Sequence, residues 1–358
     1  MGVSVLMLLA STLVPVAHEG WSHEMQTITA QAGAPALTRS DDLDRAARRA
    51  AELGPRPDLR QQLRSQGVQD GLILPVVVIS PALPEIRKAW RAYVKAHILG
   101  QGVTHYGLAL KGDTLAVIFA RRLFHSDRLP RAPALGSTVS IGGSVDSSVR
   151  ELRALVGRPD ELVSNATIRR KGDAVQIGVT LNAGRGTYLL ELIGTTERGP
   201  EVLAMIPVHS RDAALGPTRP WLNESEEASG PPSRRMITLV NRDRRRLGLS
   251  SLRHSETLSE SARRHAIQMA RTGFAAHVLP GGSPPADRLA RFDVETPQFH
   301  ENVAMASSVT QAHTDLWSSP SHRRALLDPA VNRIGVGIET VQTEGGPIHF
   351  VVQHLASL

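Results

Sequence analysis

The chain has 358 residues, a formal net charge of +7, 41% hydrophobic and 4% aromatic residues, and no cysteine. That length accommodates two or three domains with cores of their own, and the missing thiols exclude a disulfide framework, a thiolate zinc site and a cysteine nucleophile. The basic balance favours acidic surfaces such as anionic envelope polymers or lipid headgroups. The scarcity of aromatics leaves no stacking platform for single-stranded nucleic acid, and no nucleic-acid partner is expected.

Residues 1–17 open with the apolar run Val3-Ser4-Val5-Leu6-Met7-Leu8-Leu9-Ala10 and close on Val14-Pro15-Val16-Ala17. The run is too short to span a bilayer and has the length of a signal-peptide core. It predicts export to the periplasm, the cell envelope or the medium, with no transmembrane segment left once the signal is removed. Residues 18–39 read as a linker.

Residues 40–126 read as an α/β region. Leu43, Ala46, Ala47, Ala50 and Ala51 follow helical spacing, with Ser40 or Asp41 as the cap and Gly54-Pro55 as the stop. Leu72 to Ile79 is a β-branched apolar run, a second helix covers Pro84 to Ile98, and His105–Leu110 with Thr114–Arg121 form a hairpin around Lys111-Gly112-Asp113. Its segments Tyr106–Leu110 and Leu115–Phe119 echo Ile334–Ile338 and Ile348–Val352. That echo makes the region a candidate degenerate copy of the C-terminal fold.

Between 130 and 211, short alternating strands separated by turn residues predict a small antiparallel β-sandwich: Thr138–Gly143, Glu151–Val156, Ala174–Leu181, Gly186–Thr195 and Glu201–His209. Residues 212–233 are rich in Pro, Gly, Ser and Glu and read as an exposed linker. The last segment, 234–358, combines amphipathic helices over 236–247, 256–272 and 309–317 with a final alternating hairpin. The predicted fold class is α+β multidomain, ending in an α-β-α sandwich.

Three polar residues in this last segment come from separate stretches and have no evident packing role: His277, Glu301 and His322. Two imidazoles and a carboxylate are what a general acid/base site or a zinc site with an open water position needs. Asn302, Gln353 and Ser321 are candidates to orient them. Trp317 reads as core, and Gly335 and Gly337 leave one strand face bare for a close neighbour. No serine-hydrolase elbow, HExxH, P-loop or EF-hand loop is present. Catalysis therefore lacks an independent warrant.

The ordered motifs Leu239-Val240-Asn241, Phe274-Ala275-Ala276-His277, Glu301-Asn302-Val303-Ala304, Trp317-Ser318-Ser319-Pro320-Ser321-His322-Arg323 and Ile334-Gly335-Val336-Gly337 together resemble the bacterial branch of the CAP superfamily. This is the SCP domain of cysteine-rich secretory, antigen 5 and pathogenesis-related proteins. The resemblance covers the C-terminal third only. It implies a central cavity lined by two histidines and acidic residues, with His277, Glu301 and His322 in those places and a divalent metal, zinc above all, as a possible occupant. A second glutamate that the eukaryotic branch carries after the tryptophan is replaced here by Ser318 and Ser319. The expected function is binding of a ligand, lipid or envelope polymer outside the cell. The runner-up is a metal-assisted hydrolase acting on an envelope polymer, peptide or lipid, and a third reading is a structural module with a vestigial pocket.

Overall fold

The computed structural model describes residues 18–55, 59–65, 67–79, 84–127, 133–211, 230–343 and 346–358. The signal-peptide candidate at 1–17, residues 212–229 of the second linker and Glu344-Gly345 of the last turn lie outside the described residues. Two compact units emerge: Met1–Leu123 with Gln342–Pro347, and Phe124–Val341 with Ile348–Leu358. Among the described residues no helix is long and apolar enough to cross a membrane.

The first unit contains α1 (His18–Gln31), β1 (Thr38–Arg39), α2 (Asp41–Leu53), α3 (Leu59–Ser65), β2 (Leu72–Ile79), α4 (Pro84–Tyr93), β3 (His105–Lys111) and β4 (Thr114–Arg121). Its sheet has the order β1-β3-β4-β2, with β1 parallel to β3 and the other pairs antiparallel. Alternate residues of β2 enter two cores. Ile73 and Val77 join Leu43, Ala47, Leu59 and Leu63 on one face, while Leu74, Val76 and Val78 join Trp21, Met25, Trp90 and Val94 on the other. Burial on both faces explains why β2 is continuously apolar rather than alternating.

Residues 18–39 are not simply a linker. They begin with α1, whose Trp21, Met25 and Ile28 are buried at i, i+4 and i+7. That helical stripe is interrupted by histidines and glutamates and adjoins the apolar leader, which hides its periodicity. Glu24 of α1 pairs with Arg91 of α4. The second helix is also shorter than expected, because after Tyr93 the chain widens into a π-helical run over Val94–Ile98.

The second unit opens with two four-stranded sheets, built from β5 (Phe124–Ser126), β6 (Thr138–Val145), β7 (Leu152–Gly157), β8 (Val163–Asn165), β9 (Thr167–Lys171), β10 (Ala174–Thr180), β11 (Thr187–Thr196) and β12 (Gly199–His209). Their orders are β5-β6-β10-β9 and β12-β11-β7-β8, antiparallel throughout. This module begins at Phe124 rather than at 130, because β5 pairs with β6. Three-residue strands such as β5 and β8 carry no readable alternation, and β9 is masked by its charges.

The rest of the unit contains α5 (Pro232–Arg246), β13 (Arg253–His254), α6 (Glu256–Thr272), α7 (Pro285–Ala290), β14 (Phe299–Ala306), α8 (Val309–Ser318), α9 (Pro320–Leu326), β15 (Arg333–Thr343) and β16 (Gly346–Ala356). The sheet order is β13-β15-β16-β14. Met236, Val240, Ala312, Leu316 and Trp317 cover one face, and Leu258 and Leu289 cover the other. Within that first core, His313 is buried and donates from Nε2 to the equally buried Asp243 at 2.7 Å.

α6 is fastened to β15 at close range. A Cβ on Gly335 would overlap the backbone of Leu258 and Ser259, and one on Gly337 the backbone of Ala262 and Arg263. The Ser255 N–H donates to the Ile334 carbonyl at 2.9 Å, and the Val336 N–H donates to Ser259 Oγ at 3.1 Å. The first unit repeats this clasp. Ser40 N–H donates to the Tyr106 carbonyl at 3.0 Å, Leu108 N–H donates to Asp44 Oδ1 at 2.8 Å, and a Cβ on Gly107 would overlap the backbone of Leu43 and Asp44.

From this anchor the two sheets can be aligned. Thr104 N–H donates to the Ala120 carbonyl at 2.9 Å as Asn332 N–H donates to that of Ala356 at 3.0 Å, and Ala120 and Ala356 face Ile73 and Phe299 on the outer strand. Glu301, Asn302, Gln353 and His354 then correspond to Pro75, Val76, Val117 and Ile118. On the helix, Ser261 and His265 correspond to Ala46 and Ala50. The second half of the sequence echo is therefore displaced: Leu115 aligns with Val351, not Ile348, because the final hairpin is longer.

We expect Gly335→Ala to destabilise the C-terminal domain by about 1–3 kcal/mol, since its methyl group meets main chain that cannot give way. A lower urea midpoint checks this.

Candidate functional site

Glu301 of β14 lies directly opposite His354 of β16, and Asn302 opposite Gln353. Successive strand residues point to opposite faces, so Glu301 and His354 share one side of the sheet while Asn302 and Gln353 share the other. The Glu301 side chain is only 2% exposed. Its Oε1 accepts from His277 Nδ1 at 2.9 Å, and its Oε2 accepts from His354 Nε2 at 2.9 Å and from Arg288 Nη2. Burial would push this carboxyl up, but the hydrogen bonds and charges of the two histidines overcome that and hold it well below the usual carboxylate range.

Arg288 of α7 also fixes the loop that delivers His277. Its Nη1 donates to the His277 carbonyl at 2.8 Å and to the Ser283 carbonyl. One guanidinium thus holds both the loop and the carboxylate. The fork geometry of arginine suits two such tasks at once.

His322 sits in the first turn of α9. Ser319 is the cap, its Oγ accepting from the His322 N–H at 3.5 Å. From the other face of the sheet, Asn302 Nδ2 donates to the His322 carbonyl at 3.3 Å and to Gln353 Oε1 at 3.1 Å. Burial, with the nearby charge of His277, pushes the His322 imidazole down to about 3, so it is neutral at physiological pH. Its Nδ1 is buried and has no hydrogen-bond partner among the described residues. His265 of α6 donates from Nε2 to the Ala276 carbonyl at 2.8 Å and is pushed down by burial.

His277 and Glu301 are therefore in direct contact, and His322 is near enough to feel the charge of His277. Asn302 and Gln353 do support the segment of His322. Ser321 offers its hydroxyl to that of Ser319 at 3.1 Å, and its N–H donates to Glu191. Trp317 is fully buried in the core. Sequence reasoning missed Arg288, His354, His265 and Glu191. His354 becomes visible only through its register opposite Glu301, and His265 has the helical spacing of a core position, three residues after Ala262.

The fit of a metal ion is decided by Glu301. Both of its oxygens are engaged, one of them by a guanidinium that would repel a cation. Among the described residues no three His, Cys, Asp or Glu side chains converge as a metal ion requires. The arrangement, as it stands, does not fit zinc.

Glu301→Gln removes the charge that compensates a nearly buried Arg288, and we expect a loss of about 3–5 kcal/mol in urea unfolding. Stability should also fall with pH. Unfolded, His322 takes up a proton near 6.5, whereas in the fold it resists until about 3. Between those values the unfolded chain binds more protons, so acidification favours it. Glu301 acts in the same direction below its ordinary value of 4.5. The urea midpoint should decline from about pH 7 to about pH 5, and His322→Gln should flatten that decline.

The family described as CAP, the cysteine-rich secretory protein family, matches residues 237–355. The protein YkwD of Bacillus subtilis, named as uncharacterised, is 30% identical over 105 residues, which are 29% of this chain and 41% of that protein. Among solved structures, an outer surface protein of Borrelia burgdorferi is 24% identical with a TM-score of 0.31, covering 34% of this chain and 90% of its own. An extracellular protein of Bacillus anthracis containing an SCP domain is 17% identical with a TM-score of 0.32, covering 61% and 78%. The C-terminal third of the chain, residues 237–355, is a CAP domain of the cysteine-rich secretory protein family.

Proposed function

We propose that the CAP domain binds a ligand through the cleft of His277, Glu301 and His322, and that it does so without a resident metal. The observation that carries this is the buried, unpartnered Nδ1 of a neutral His322 beside a His277–Glu301 pair. An unmatched buried polar nitrogen costs about 1–3 kcal/mol. A hydrogen-bonding group of a ligand would recover it.

The local charge selects the kind of group. Glu301 is already offset by Arg288, and His322 is neutral, so the cleft offers hydrogen bonds rather than a strong net field. An uncharged hydroxyl or amide suits it, as found along envelope glycans, wall peptides and lipid headgroups. The apolar run at 3–10 supports a site of action outside the cytoplasm.

The N-terminal α/β unit reads as a degenerate CAP-like copy. The repeated clasp, the shared element order and the shared strand order support this reading. All six polar positions compared above are apolar in the first unit, which makes it a scaffold with a filled pocket. The two-sheet module reads as a β-sandwich between the copies.

The test is binding of the full chain to solubilised wall glycan fragments and to phosphatidylglycerol vesicles, with a His277→Ala/His322→Ala double variant beside it. At least tenfold weaker binding by the variant is expected. Equal binding would remove the cleft from the function. Calorimetry with zinc should show no site; tight binding abolished in the double variant would restore the metal-assisted reading.

A further inference from the structure

One hairpin of the two-sheet module touches both imidazole-bearing segments of the CAP domain. At its turn, the Arg198 guanidinium stands 5.3 Å from the Phe274 ring centroid. A Cβ added to Gly199 would lie 3.3 Å from Val278 Cγ2 and 3.9 Å from His277 Cβ. Further along β11, Glu191 is fully buried. Its Oε1 accepts from Ser319 Oγ at 2.6 Å, and its Oε2 accepts from the Ser321 N–H.

The serine hydroxyl has one proton. Ser319 gives it to Glu191, which turns a lone pair of the same oxygen toward the N–H of His322. Glu191 thus holds the first turn of α9 at Ser319 and Ser321, both just ahead of His322. On the neighbouring strand, a Cβ on Gly157 would overlap the Arg323 guanidinium and lie 3.2 Å from Pro320 Cγ, so β7 and α9 are in close contact as well.

A carboxylate is an expensive way to fill a buried interface, since an ion removed from water costs several kcal/mol before its partners are counted. An apolar residue would pack against α9 at lower cost. What the carboxylate adds is orientation.

We propose that Glu191 is a positioning residue of the CAP cleft, through which the two-sheet module sets the place and ring orientation of His322. The inference rests on the cleft being the binding site, but its first readout needs no ligand. The preceding module thus adds to the support that Arg288 and Asn302 give His277 and His322 from within the segment matched by the family.

The experiment uses the full chain with Glu191→Gln, Glu191→Ala and Gly157→Ala, and Arg324→Ala as a control for an exposed contact, its Nη1 lying 2.6 Å from Asn165 Oδ1. The ring nitrogen resonances of His322, assigned by their loss in His322→Gln, report its tautomer and surroundings. Amide exchange reports the first turn of α9. Glu191→Ala should shift the His322 ring signals and speed exchange at His322 at least tenfold, with exchange across β14 and β16 unchanged. Glu191→Gln, which keeps an acceptor for Ser319, should restore part of the effect, and Arg324→Ala should have none. Gly157→Ala should move the ring signals with Glu191 intact.

Unchanged ring signals and exchange in Glu191→Ala and Glu191→Gln would overturn the proposal. So would equal effects from Arg324→Ala. Should Glu191→Ala fail to fold, Glu191→Gln and Gly157→Ala decide it. Wild-type protein that binds neither glycan fragments nor vesicles would defeat the ligand reading alone, because the ring signals are measured without either.

Discussion

Burial of the Glu301 carboxylate constrains the C-terminal domain more than any other single choice. An ion inside a sheet must be compensated on the spot. Arg288 does this, and the requirement propagates outward: Arg288 must come from a helix placed over the strand, and its spare nitrogen ties down the loop that carries His277. His354 then fills the remaining direction from the next strand. The contacts among His277, Arg288, Glu301 and His354 thus follow from satisfying one charge. The two imidazoles differ in their surroundings: His277 bonds a carboxylate, whereas burial keeps His322 neutral.

The first unit has the same strand order and a similar helix-to-strand clasp, without that charge. It keeps the serine N–H bonded to a strand carbonyl, the glycine against the helix and the side chain that accepts a strand N–H, with Asp44 in the role of Ser259. These contacts fasten a helix to a sheet and are indifferent to what lies beyond. With Pro75 and Ile118 where Glu301 and His354 would be, nothing demands an arginine, and Ile118 packs among the aliphatic side chains of α2 and α3. Architecture and site are separable because they use different residues of the same strands.

This separation decides what could be read in advance. Helices with a clear stripe, such as α2 and α6, and the hairpin of β3 and β4 were legible because their periodicity is local. Glu301 and the two histidines stood out through ordered motifs. Arg288 and His354 did not, since their meaning depends on strand register and on a short helix with no stripe of its own. Glu191 was the least legible. Between Leu190 and Leu192 it alternates as a solvent-facing strand residue should, and only α9, 128 residues further along, makes its side of the sheet an interior. The same cover explains why Ala154 to Gly157 are all buried, where an open sheet would alternate.

The clasp between β11 and α9 also bears on where this protein can be divided. The family match begins at residue 237, after a stretch rich in proline, glycine and serine, which invites a cut there. Such a cut would follow the family match and sever the contacts of Glu191 with Ser319 and Ser321. The released domain would present the start of α9, two serine groups and an arginine to water, all shaped to meet a strand left behind. The family match and the close contacts thus divide this chain at different places, since β11 and α9 lie in one compact unit.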